Sequence, residues 1–97
     1  MLCKVIGKYL TSSQQLIETM RMAVPQQDAA ALHRTAHSLK SSSATLGALR
    51  LAALCKEAEA MGRANTLKGM SSLWEQLEAE YTVVHDALTA ELNQVRT

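Results

Sequence analysis

At residues 36–43 the chain reads Ala36-His37-Ser38-Leu39-Lys40-Ser41-Ser42-Ser43. The side that a helix through this stretch would bury carries only aliphatic and small residues: Leu32, Ala36, Leu39 and Ser43. At about 100° per residue, His37 lies roughly 130° from the mean direction of that side. Because the buried side is short on bulk, a neighbouring helix can approach closely. The stretch therefore predicts a closely packed helix that displays a histidine to solvent.

The same helical pattern continues on both sides of this stretch. Apolar residues recur at spacings of three, four and seven, so we expect helices over about 2–24, 28–45, 48–63 and 66–95. Pro25 ends the first helix because it disfavours helical geometry at the residue before it. Asp28 is placed to cap the second helix, and Gly47 marks the junction to the third. Short connections then predict a single all-α domain over residues 1–97, an antiparallel up-down four-helix bundle.

Composition limits the class of protein further. Ten basic and nine acidic side chains leave a formal net charge of +1, whereas a protein that grips a phosphate backbone concentrates basic charge. No apolar run reaches the ~18 residues of a membrane span. Cys3 and Cys55 lack metal-type spacing, so we expect reduced thiols in a cytosolic setting. These features predict a soluble domain without direct nucleic-acid or membrane contact.

The exposed side of the second helix suggests a chemistry. His33, His37, Lys40, Ser41 and Ala44 share the face opposite the buried side. A solvated histidine offers a neutral ring nitrogen as a nucleophile, and Lys40 at i+3 can reach an anionic group attached to it. The small residues at 41 and 44 leave room for the backbone of a partner. This pattern alone equally fits an ordinary solvated helix surface.

Other chemistries fit the residues less well. His33 and His37 have the i, i+4 spacing of helical zinc ligands, but Arg34 stands where an HExxH motif has glutamate. His85 belongs to another helix, so we predict no metal site. Hydrolysis by a serine, a histidine and an acid would have only Asp28 nearby in sequence. The four glycines are scattered and form no phosphate-binding loop, which excludes an ATP-using kinase.

Residues 36–48 closely resemble a known signature. The sequence AHSLKSSSATLGA is similar to that of histidine-containing phosphotransfer (HPt) domains, usually written AHxLKGSSxxLGA. The likeness continues through residues 51–63 on one side and through residues 9–10 and 28–32 on the other, so it covers nearly the whole chain. The resemblance implies a four-helix bundle whose phosphoaccepting histidine lies on the exposed side of the second bundle helix. That expectation agrees with the helical geometry.

The resemblance also implies roles for matching positions. His37 takes the place of the phosphoacceptor, Lys40 that of the lysine that contacts the phosphoryl group, and Gly47 that of a structural glycine near the helix end. Arg63 resembles a basic position on the neighbouring helix of some members. Glu59 stands where some members carry glutamine.

We expect a partner to dock on helices two and three through His33, Ser41, Ala44, Lys56, Glu59 and Arg63. Lys40, Lys56 and Arg63 would supply positive charge for an acidic receiver site. Ser41 departs from the resemblance, because the family usually has glycine there. Serine adds bulk beside the histidine, narrows which partners fit, and brings a hydroxyl able to donate to a phosphoryl oxygen.

The expected function is that of a phosphorelay intermediate. His37 would accept a phosphoryl group from a receiver-domain aspartate of a response regulator or hybrid sensor kinase and pass it to another receiver. Such a phosphocarrier has no ATP site of its own and binds no cofactor. Mg²⁺ is expected on the receiver, because this chain presents no carboxylate cluster suited to it.

We expect a cytoplasmic monomer that lacks the additional N-terminal helix of many members. It would be either free-standing or the C-terminal domain of a membrane-bound hybrid sensor kinase. One alternative is a non-phosphorylated docking or inhibitory module that binds a kinase or receiver through the same face. Another is a dimerisation bundle that uses the fourth helix and Trp74.

Overall fold

The computed structural model describes the backbone of residues 2–96 and the side chains of residues 6–94. Its four α-helices are α1 (Leu2–Gln26), α2 (Ala29–Thr45), α3 (Leu49–Ala64) and α4 (Met70–Arg96). Each helix packs against the next in the chain, and α4 also packs against α1, which closes the bundle. No strand occurs in the described residues. The predicted all-α four-helix bundle is confirmed.

Two helix ends differ from the prediction. α1 continues through Pro25 and ends at Gln26, because a proline in the last turn removes only one backbone hydrogen bond. The chain turns instead at Gln27, which has a φ of 54° and donates its N–H to the Val24 carbonyl. α4 begins at Met70 rather than near residue 66, because Gly69 has a φ of 86°, which a right-handed helix does not allow.

The hydrophobic core draws on all four helices. The predicted buried side of α2 lies in it, with no exposed surface on Leu32, Ala36, Leu39 or Ser43. Two pairs of buried hydroxyls lie across helices: Tyr9 Oη is 3.0 Å from Ser43 Oγ, and Ser13 Oγ is 2.9 Å from Tyr81 Oη. These pairs satisfy hydroxyls that would otherwise destabilise the core.

Several residues singled out from the sequence belong to the packing of the bundle. Asp28 caps α2 by accepting a hydrogen bond from the Ala31 N–H at 3.1 Å. Trp74 is half-buried and packs against the core. Cys55 is a buried free thiol, and burial raises its pKa to about 12. The side chain of Cys3 lies outside the described residues. Among the described residues, no helix combines the length and apolar character needed to span a membrane.

α2 and α3 approach each other closely at Gly62. A Cβ atom there would lie 2.8 Å from the carbonyl oxygen of Ala29, 2.8 Å from the backbone nitrogen of His33 and 3.0 Å from its Cα. Because all three are backbone atoms, only glycine permits this separation. α3 ends at Ala64, one residue beyond the predicted end at 63, where Asn65 adopts a φ of 55°. This contact sets the distance between the two helices that carry the site.

Candidate functional site

His37 lies on the outer side of α2, and 60% of its side chain is exposed. Its Nδ1 is 2.7 Å from Glu59 Oε2 on α3. A carboxylate can only accept, so Nδ1 donates the proton in this contact. The neutral ring then keeps its free electron pair on Nε2, which has no hydrogen-bond partner among the described residues. The arrangement presents one defined ring nitrogen to a reaction partner.

Glu59 connects the polar groups of the site. Besides His37, its carboxylate accepts hydrogen bonds from Lys40 Nζ at 2.6 Å and from Arg63 Nη2 at 3.2 Å. Only 4% of the Glu59 side chain is exposed. The hydrogen bond from Lys40, followed by that from His37, lowers the pKa of the Glu59 carboxyl from its ordinary 4.5 to about 2. Glu59 is therefore an anion throughout the physiological range.

The prediction that Glu59 contacts a partner is wrong, because only 3% of the residue is exposed. It acts instead on His37 from within the bundle. Helical spacing places Glu59 next to the buried Ala58 and one turn before Arg63, but this spacing alone could not reveal the histidine across the helix pair. The four residues His37, Glu59, Lys40 and Arg63 are called the histidine–glutamate cluster below.

His33 is less exposed than its position on the predicted outer face suggests. It is half-buried, and its Nδ1 lies 3.3 Å from the backbone carbonyl oxygen of Glu59. The contact joins α2 to the backbone of α3 one turn before His37. His33 therefore packs between the helices and is not a freely accessible second nucleophile.

The other candidate residues occupy the surface around His37 or its border. Ser41, Ala44, Lys56 and Arg63 are exposed, and Gly47 lies in the connection between α2 and α3 with a φ of 82°. The Ser41 hydroxyl has no hydrogen-bond partner among the described residues. Within that same part of the chain, no three histidine, cysteine, aspartate or glutamate side chains group in a way that could hold a metal ion.

Acid should weaken the bundle through Glu59. Its pKa of about 2 in the folded protein lies below the ordinary 4.5, so its interactions stabilise the fold fully above about pH 4.5 and are lost as the pH falls through 2. We expect the free energy of unfolding of the wild type to fall across this window, and to fall less in Glu59→Gln. Urea unfolding followed by circular dichroism measures both pH slopes. Glu75→Gln, which removes an exposed carboxylate on α4, is the control. Equal slopes in wild type and Glu59→Gln would contradict the assignment.

Comparison with known proteins gives two matches. The sequence model of the family described as "Hpt domain" matches residues 4–97. The crystal structure of histidine-containing phosphotransfer protein B (HptB) from Pseudomonas aeruginosa PAO1 is similar, with a TM-score of 0.89 and 32% sequence identity. The match covers 95% of this chain and 80% of that one. Among curated protein sequences there is no significant match.

Proposed function

The chain belongs to the Hpt domain family, whose members are phosphocarriers that interact with receiver domains in two-component phosphorelays, and we propose that His37 is its phosphoacceptor. The observation that carries this proposal is the contact between His37 Nδ1 and the buried Glu59 carboxylate. It leaves Nε2 exposed with its electron pair available, as nucleophilic attack on phosphorus requires.

In the proposed reaction, Nε2 of neutral His37 attacks the phosphorus of an aspartyl phosphate on a receiver domain. The N–P bond forms as the bond between phosphorus and the aspartate oxygen breaks, and the aspartate carboxylate leaves. The phosphorylated ring retains the Nδ1 proton and is therefore an imidazolium, whose positive charge the Glu59 carboxylate balances. The same steps in reverse pass the phosphoryl group to a second receiver. Mg²⁺ belongs to the receiver in this proposal.

Lys40 is the proposed phosphoryl contact within this chain. It follows His37 by one helical turn, and 30% of its side chain is exposed. One donor of its ammonium group binds Glu59 Oε1, which leaves two donors for other acceptors. A phosphoryl group on His37 would offer negatively charged oxygens nearby. Lys40 would then neutralise part of that charge and favour the phosphorylated state.

The proposal extends to the cofactors, cellular context and partners of the domain. The domain would be a carrier without an ATP site or bound cofactor, because the phosphodonor and its Mg²⁺ come from the receiver. We propose that it acts as a cytoplasmic monomer, either free-standing or as the C-terminal domain of a membrane-bound hybrid sensor kinase. Its partners would be receiver domains of response regulators, of such a kinase, or of both.

Incubation with radioactively phosphorylated receiver domains tests the proposal. The label should appear on this protein in a form that is stable to base and labile to acid, and should then move to a second, unlabelled receiver. Small-molecule phosphoramidate provides a second donor that needs no docking. A receiver that binds the protein without any transfer, together with failure of phosphoramidate to label it, would indicate a docking module instead.

Replacement of Lys40 by alanine should lower the rate of transfer to His37 or the lifetime of the phosphohistidine by about tenfold. Loss of one charge-assisted hydrogen bond costs roughly 1.4 kcal/mol, which corresponds to a tenfold change in rate. Decay of the label after removal of the donor measures the lifetime, and circular dichroism checks the helices. Lys68→Ala, which removes an exposed lysine outside the histidine–glutamate cluster, should behave as wild type. Unchanged rates and lifetime in Lys40→Ala would show that Lys40 does not contact the phosphoryl group.

A further inference from the structure

Positive charge surrounds the site on both helices. On α2, Arg34 precedes His37 by one turn and Lys40 follows it by one turn. On α3, Lys56 precedes Glu59 by one turn and Arg63 follows it by one turn. At about 100° per residue, all four lie within roughly 60° of the direction of His37 or Glu59 on their own helix. We call these four residues, Arg34, Lys40, Lys56 and Arg63, the cationic frame.

The two halves of the cationic frame have different partners. Lys40 and Arg63 bind the Glu59 carboxylate, as part of the histidine–glutamate cluster. Arg34 and Lys56 are exposed and form no ion pair with any described residue. Arg34 and Lys56 therefore place two positive charges near His37, and no acidic residue in the described part of the bundle pairs with either charge.

Negative charge is nearly absent from this side of the bundle. The acidic residues of α2 and α3 are Glu57 and Glu59. Glu59 is buried, and Glu57 lines the groove between α3 and α4. Residues 70–94 of α4, in contrast, carry five acidic residues and no lysine or arginine: Glu75, Glu78, Glu80, Asp86 and Glu91. The small net charge of +1 is the sum of a positive functional side and an acidic α4, where Glu78 and Glu80 pair with Arg21 and Arg50 and the other three carboxylates pair with no lysine or arginine among the described residues.

We propose that the cationic frame captures an acidic protein surface around the acceptor carboxylate of the receiver, and that Arg34 and Lys56 set the rate of this encounter. The inference rests on the proposed function, since it concerns how a receiver reaches His37. Charges that face a complementary surface accelerate association and select its orientation, and the effect falls with ionic strength. The acidic α4 disfavours docking of the same partner on that helix.

The experiment compares two double variants with the same change in net charge. Arg34→Glu with Lys56→Glu reverses the two unpaired charges of the cationic frame. Lys8→Glu with Lys68→Glu reverses two exposed charges elsewhere, on α1 and in the connection between α3 and α4. The partner is a receiver domain that exchanges phosphoryl groups with the wild type in the transfer assay. Stopped-flow mixing over a range of salt concentrations measures the association rate.

We expect the frame variant to associate at least tenfold more slowly than wild type at low ionic strength, a change within the range of electrostatic steering. The difference should shrink to about twofold near 1 M salt, where the screening length is about 3 Å. The control variant should stay within about twofold of wild type throughout. Phosphoramidate should still label His37 in both variants, because neither removes a member of the histidine–glutamate cluster.

Equal association rates for the frame and control variants would overturn the inference. So would a frame variant whose receiver association is normal while its binding to anionic vesicles or duplex DNA is lost, since the surface would then serve a different class of partner. Failure of phosphoramidate to label wild-type His37 would instead contradict the proposed function. If the frame variant does not fold by circular dichroism, Arg34→Gln with Lys56→Gln provides the same comparison with a smaller expected effect.

Discussion

Replacement of His37 by glutamine should reduce phosphorylation by a labelled receiver or by phosphoramidate at least 1000-fold, to about the level of a blank, because no nucleophilic ring nitrogen remains. Glutamine is the informative choice, since its amide can still donate a hydrogen bond to Glu59. The variant should therefore keep the helical spectrum and receiver binding of the wild type. Scintillation counting of the base-stable, acid-labile label gives the measurement.

His33→Gln and His85→Gln are the matched controls. His33 is on the same helix but half-buried against the Glu59 carbonyl, and His85 hydrogen-bonds with Gln14 on the other side of the bundle. Both variants should be labelled as efficiently as wild type. Label that persists in His37→Gln and disappears in one of the control variants would move the phosphoacceptor to that histidine.

Replacement of Gly62 by alanine should destabilise the bundle by roughly 1–3 kcal/mol, the usual cost of overpacking a close contact. This direction is opposite to the ordinary helix preference, in which alanine is better than glycine by about 1 kcal/mol. The added methyl group would meet the backbone of Ala29 and His33 at 2.8 Å, so α3 must move away from α2. The movement should also lengthen the contact between Glu59 and His37 and slow phosphotransfer.

Gly7→Ala is the control for this prediction. Gly7 also lies inside a helix, α1, but a Cβ there would meet nothing within 4 Å. This variant should gain about 0.5–1 kcal/mol in the free energy of unfolding, with phosphotransfer unchanged. Urea unfolding of both variants gives the comparison. A Gly62→Ala protein as stable and as active as Gly7→Ala would show that the helices separate at no cost.

The location of His37 and the buried side of α2 followed from the sequence, because both depend only on the periodicity of one helix. The role of Glu59 did not follow. Periodicity tells which side of α3 faces the core, but the pairing of Glu59 with His37 depends on the distance between two helices. That distance is set by Gly62, which lies close to backbone atoms of α2. The residues next to Gly62 in the sequence give no sign of this contact. Carboxylates are also rarely buried unless a cation pairs with them, so the sequence pattern alone does not predict a buried Glu59.

The predictions of where α1 ends and where α4 begins were wrong for a local reason. Pro25 was interpreted as a stop because it disfavours helical geometry at the residue before it, but the decisive residue is Gln27, which takes a left-handed conformation that is uncommon for residues other than glycine. Gly69 does the same before α4. Backbone conformations of this kind depend on how the chain must turn to pack the next helix, and residue type alone does not determine them.

The buried thiol of Cys55 has a practical consequence for work on this domain. The thiolate is the form that reacts with maleimides and disulfides, and a pKa of about 12 leaves almost none of it at neutral pH. Alkylation of Cys55 therefore requires that the molecule first open and bring this part of α3 into water. The rate at which a peptide containing Cys55 gains mass under excess reagent reports how often that opening occurs. Cys55 is thus a built-in probe of local opening in α3, one of the two helices that form the site.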